Sequence, residues 1–210
     1  LLSTLALSSG MAQNKLPISM KQSEDFKSAR RHLIMPPVEF KDKGILQVNE
    51  RGTRSMNFQW FSPDLKLKKE IHAFKFHEAA VFCLKYLEEK NAILSSGADG
   101  KINLYDTNLT EHKETLQLSD KKIRTIEIHN NIIYLGEANG KIILLNADNC
   151  SPIREFHAHK EATNCFYFHT KNNILISGGK DALIKMWDIT DDYKLIKEIP
   201  AHNFAVYSLM

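Results

Sequence analysis

The amino-acid sequence predicts an all-β chain built from repeated four-stranded antiparallel units, and three observations carry that prediction. A turn residue, followed six places later by an aromatic or large apolar residue and then by Asp or Asn, recurs along the chain. A histidine, followed four places later by a β-branched residue suited to opening a strand, recurs in step with it. The repeat holds several short strands and leaves no room for a helix of ordinary length.

The turns set the register. Asp99 lies in "SSGADGKINLYD", Asn139 in "LGEANGKIILLN" and Asp181 in "ILISGGKDALIKMWDI", at steps of about 41 residues. Their partners Tyr105, Leu145 and Trp187 keep the same steps. The histidines are His77 in "FHEAAVFCLKY", His159 in "AHKEATNCFYF" and His202 in "AHNFAVYSLM", and Val81, Thr163 and Val206 follow them. The copy expected near Ser119-Asp120 lacks its histidine. Each unit therefore reads as a histidine, a first strand, a turn, and a second strand ending in Ser-Gly. A tight turn and a third strand ending in Trp-Asp follow, and a run such as "YKLIKEI" supplies the fourth strand.

Composition narrows the function classes. The net charge of +3 comes from 28 basic against 25 acidic residues, well mixed along the chain, which argues against nucleic-acid binding. Lysine clusters such as Lys66, Lys68 and Lys69 read as solvated strand edges. Cys83, Cys150 and Cys165 have neither a disulfide framework nor zinc spacing, so no metal and no cofactor is expected. No segment approaches the roughly 20 apolar residues of a membrane span. Gly178-Gly179-Lys180 raises the question of a phosphate loop, but Asp181 follows it and then another strand, whereas such a loop opens a helix. It reads as a turn.

The His to Trp-Asp pattern at this period resembles the WD40 repeat, whose units form the four-stranded blades of a β-propeller. The resemblance is strong in "AHKEATNCFYFHTKNNILISGGKDALIKMWDIT", good in "FHEAAVFCLKYLEEKNAILSSGADGKINLYDTN" and weak between them. It runs from about Phe74 to the end. Trp60 suggests an earlier blade, although its Gly52 turn is out of register. The resulting organisation is a signal peptide or strand at 1–12, a polar lead-in at 13–43 and a propeller segment at 44–210. Its units are 44–75, 76–117, 118–157, 158–200 and a partial 201–210.

The resemblance implies a buried polar network in which His159 bonds Asp181, with Ser177 and Trp187 completing the set. His77, Ser96, Asp99 and Tyr105 form the corresponding set one unit earlier. It also implies a binding rim of Glu78, Ala79, Lys160, Glu161, Asn203 and Phe204, with Lys180 at a turn. The implied function is a non-catalytic scaffold for a protein or peptide partner. The alternative is a small-molecule or catalytic site in the central channel, which calls for polar residues on the innermost strands. "AVFCLKY" and "ATNCFYF" are mostly apolar or small. A seven-bladed ring of such units needs nearly 290 residues, by rough count from the repeat length. The chain is therefore expected either to be a piece of a longer one or to close its ring by association. The free cysteines fit a cytoplasmic protein, whereas "LLSTLALSSGMAQ", with a cut ahead of Gln13, fits an exported one.

Overall fold

Among the described residues, sixteen short strands form four separate sheets. The computed structural model describes the strand backbones at 38–40, 44–50, 56–61 and 67–74. It describes 77–88, 90–107 and 111–209 with nearly all their side chains. The N-terminal stretch 1–12 and most of the lead-in lie outside the described residues.

The first sheet is β1 (Val38–Phe40), β2 (Gly44–Glu50), β3 (Met56–Phe61) and β4 (Leu67–Phe74). Its first strand lies within the stretch read from sequence as lead-in, where it pairs Val38 with Leu46. The second sheet is β5 (Val81–Leu87), β6 (Ala92–Gly97), β7 (Lys101–Asp106) and β8 (His112–Gln117). The third is β9 (Ile123–His129), β10 (Ile132–Glu137), β11 (Lys141–Asn146) and β12 (Pro152–His157). The fourth is β13 (Thr163–His169), β14 (Ile174–Gly179), β15 (Leu183–Asp188) and β16 (Lys194–Pro200). Every sheet is an antiparallel meander in chain order. Among the described residues the only helical turn is a 3-10 turn at Thr170–Asn172.

The first strands β1, β5, β9 and β13 lie side by side, so the sheets stack with these edges together. Pleating explains the sequence of the third sheet. Ile133 and Leu135 on β10, with Ile143 and Leu145 on β11, face the second sheet and pack with Leu94, Ile102 and Leu104. Tyr134, Ile142 and Leu144 point the other way and pack with Phe166, Leu175 and Trp187 of the fourth. A sheet covered on both faces needs a nearly continuous apolar run, and "KIILLN" is one. In the second, third and fourth sheets the turns between first and second strands use asparagine at positive φ, namely Asn91, Asn130, Asn131 and Asn173. Asparagine tolerates that region better than other side chains.

Gly178 and Gly179 end β14, and Lys180, Asp181 and Ala182 turn into β15 with no helix; the Lys180 amide donates to the Ala162 carbonyl at 2.8 Å. Residues 201–209 hold no strand. Val206 nevertheless docks on the fourth sheet, where its side chain is buried and its amide donates to the Gly179 carbonyl at 2.9 Å.

Candidate interaction rim

One end of the sheets carries the histidines, and there the sequence builds a polar network beneath an exposed edge. His159 lies just before β13 and is buried. Its Nδ1 is 2.9 Å from Asp181 Oδ1, and its Nε2 is 2.8 Å from Ser177 Oγ. Trp187 Nε1 donates to the same Ser177 Oγ at 2.9 Å. With a neutral imidazole, the donor-only indole and the acceptor-only carboxylate order the chain: Trp187 to Ser177, Ser177 to His159 Nε2, His159 Nδ1–H to Asp181.

The second sheet repeats the arrangement with one correction. His77 Nδ1 is 3.0 Å from both Asp99 oxygens, and its Nε2 is 2.7 Å from Ser95 Oγ, not from the Ser96 expected. Ser95 Oγ in turn lies 3.4 Å from the Tyr105 hydroxyl. The reason is the pleat, since successive residues face opposite sides of a strand. Ser95 precedes Asp99 by the same number of places as Ser177 precedes Asp181, and Ser96 Oγ is buried without a hydrogen-bond partner.

The third sheet has replaced the whole set. Ser119 stands in the place of the histidine, Leu135 in that of the serine, Asn139 in that of the aspartate and Leu145 in that of the aromatic. Glu137, paired with Ile123, occupies the place of Gly97 and Gly179. A Cβ on Gly179 would come within 2.3 Å of His159 Nδ1, and one on Gly97 within 2.5 Å of His77 Nδ1. Where the imidazole is gone, a side chain fits, so the two changes belong together.

Burial pushes the His77 and His159 pKa values below the ordinary 6.5, against the opposing pull of Asp99 and Asp181. Burial alone would raise the Asp181 carboxyl, but the Lys160 amide and His159 together hold it below its ordinary value. The sign follows. Below about pH 6.5 the unfolded histidines take up protons that the folded ones resist, so stability is full above that pH and falls as pH drops below it. Asp99 and Asp181, also lowered, add a second loss below their ordinary 3.8. Urea unfolding midpoints should therefore hold steady above neutrality and decline between about pH 6.5 and pH 5, with a shallower decline in His159→Gln.

The networks hold the exposed edge above them. The backbone amide of Glu78 donates to Asp99 Oδ2 at 2.8 Å, and that of Lys160 to Asp181 Oδ2 at 3.0 Å. Glu78 is exposed and pairs with Lys101 at 2.9 Å, while Ala79 is half-buried. Lys160 and Glu161 are exposed, and Glu161 meets Lys180 at 2.7 Å. Asn203 is exposed, and Phe204 is 82% exposed rather than tucked into a neighbouring sheet. The structure thus joins Glu161 to Lys180, whereas no described contact joins residues of the second sheet's rim to those of the fourth.

Sequence reasoning missed a row just inside this rim. The first strands of the second, third and fourth sheets each carry a bulge at the second residue, where the pairing register shifts: Phe82 on β5, Arg124 on β9 and Asn164 on β13. Bulges re-aim side chains. The signal was available, because Phe82 and Asn164 each lie five places after their histidine and Tyr207 lies five after His202. Further along the same strands Lys85 and Glu127 pair at 2.8 Å. Burial pushes the Cys165 thiol up to about 11 and also raises Cys83, so neither is a reactive thiolate at neutral pH. Among the described residues no group of three or more His, Cys, Asp or Glu is placed to hold a metal. None of their helices is long and apolar enough to cross a membrane.

Comparison with known proteins adds to this geometry. The family model "WD domain, G-beta repeat" matches residues 68–106 and 150–188. A nuclear distribution protein nudF 2 of Penicillium rubens is 30% identical over 135 residues, 57% of this chain and 29% of that protein. A WD repeat-containing protein 89 homolog of Dictyostelium discoideum is 27% identical over 138 residues, 63% of this chain and 38% of the other. The target of rapamycin complex subunit LST8 of Saccharomyces cerevisiae is 24% identical over 100 residues, 46% of this chain and 33% of that subunit. The matches thus span 29% to 38% of these relatives. Among solved structures, the computationally designed Ika8 protein superposes with a TM-score of 0.65 at 20% identity, covering 84% of this chain and 52% of that one. That likeness concerns the fold alone.

Proposed function

This chain belongs to the WD40-repeat family, and we propose that it works as a non-catalytic scaffold whose blade rim holds a protein or peptide partner. One observation carries the reading. The buried His–Asp pairs end in carboxylate oxygens that bind the backbone amides of Glu78 and Lys160, the exposed residues of the rim. The rim is pre-organised by the core beneath it, so little ordering entropy is left to oppose binding. His77 and His159 are fully engaged inside that core, which leaves these two no role as acid or base towards a substrate. That one relative is a complex subunit agrees with this role. The channel reading would rest on Lys85 and Glu127, but these neutralise each other. A cytoplasmic setting goes with the scaffold reading, given three free thiols.

The test is co-purification of the tagged chain from its own cells, with partners identified by mass spectrometry. Lys160→Glu combined with Phe204→Ser should release them while the thermal unfolding curve stays in place. Partners that survive this variant but leave on substitution of outer-strand residues of β12 or β16 would overturn the reading.

A further inference from the structure

We infer that the bulge row inside the rim takes an acidic peptide, with a peptide carboxylate on the Arg124 guanidinium and a neighbouring apolar residue beside Phe82. This rests on the rim reading and names the chemistry of the partner. Arg124 is the unpaired residue of its bulge, lifted out of the β9–β10 ladder. Its guanidinium lies 4.6 Å from the centre of the Phe82 ring on the adjacent blade. An arginine held against an aromatic face in this way can still offer its planar N–H donors to an acceptor.

The charges around it favour an acid. Three neighbouring cations have carboxylate partners: Lys85 has Glu127, Lys180 has Glu161 and Lys121 has Asp120. Arg124 takes part in none of the described ion pairs, and its Nε is buried with no hydrogen-bond acceptor. Glu137, buried with its Oε2 also lacking a hydrogen-bond partner, pairs across the ladder with Ile123 and forms no described ion pair with Arg124. A half-buried guanidinium on an aromatic face, short of an acceptor, matches the planar bidentate geometry of a carboxylate. The equivalent Asn164 is committed, since its Nδ2 donates to the Val206 carbonyl at 3.1 Å. Tyr207, 74% exposed, continues the row with a second aromatic face.

The experiment pans a displayed library of random unphosphorylated peptides on the purified chain and measures the consensus peptide by fluorescence anisotropy. Enriched peptides should share Asp or Glu next to an apolar residue. Arg124→Gln should weaken binding by about tenfold or more, and Arg124→Lys by less. Lys197→Gln on the outer strand β16 should bind as the unaltered chain does, and thermal melts of all three establish that they fold. Enriched peptides without an acidic residue, or affinity unmoved in folded Arg124→Gln, would overturn the inference and leave the rim reading standing. Failure to enrich any peptide, including a need for a phosphate group, also overturns it, and the rim is then judged by co-purification alone.

Discussion

Trp187→Ala is expected to lower the stability of the fold by about 3–5 kcal/mol, the largest effect of any single truncation considered. Trp187 is 6% exposed and packs with Tyr134, Ile142, Leu144, Phe166 and Leu175 between the third and fourth sheets. Its ring meets Phe156 edge-on, with centroids 5.2 Å apart. Truncation leaves a cavity and also takes the indole donor from Ser177. Trp187→Phe separates the two effects. It keeps most of the packing and loses the donor, at a cost of about 1–2 kcal/mol. Urea unfolding of both variants measures the split, and equal losses would mean that the hydrogen bond, not the packing, dominates.

Gly140→Ala is the second large effect, at about 2–4 kcal/mol from a disfavoured backbone conformation and an overlap with the next blade. Gly140 has φ +87, and a Cβ there would lie in the space of the His159 carbonyl oxygen. Relief requires the segment that carries His159 to move, and with it the network below. The fourth sheet offers the reverse experiment, because its equivalent residue is Ala182, at φ 65. Ala182→Gly should be neutral or stabilise by about 1 kcal/mol, since the relieved conformation outweighs the added freedom of the unfolded chain. Thermal unfolding of the pair checks the signs, and a destabilised Ala182→Gly would contradict the account.

The blades were legible in the sequence because each requirement falls on a different residue at a fixed place. Asp99 and Asp181 mark the turn, Trp187 marks the face between sheets, and the glycines before the turns mark the space that the histidine ring fills. The third blade was harder to read because Leu135, Leu145, Ser119 and Glu137 replace that set together, leaving a packed sheet without its signature. The apolar pattern of "KIILLN" carries that blade instead. Ser96 was named for Ser95 because two adjacent serines look alike until the strand's pleat is counted from Asp99. The rim residues followed from the histidines. Phe82, Arg124 and Asn164 did not, because a bulge is a break in pairing and leaves no mark in composition. Phe82 and Asn164 share a constant offset from their histidines, but the third blade, with Ser119 in that place, offers no such mark for Arg124.

The central claim is that the partner meets the histidine end of the blades. Hydrogen–deuterium exchange of the chain, free and with a co-purified partner, tests it most directly. The account predicts slowed exchange at residues 78–82, 119–124 and 160–164, with the outer strands β8, β12 and β16 unchanged. Slowing confined to those outer strands, with the histidine end exchanging as in the free chain, would contradict it.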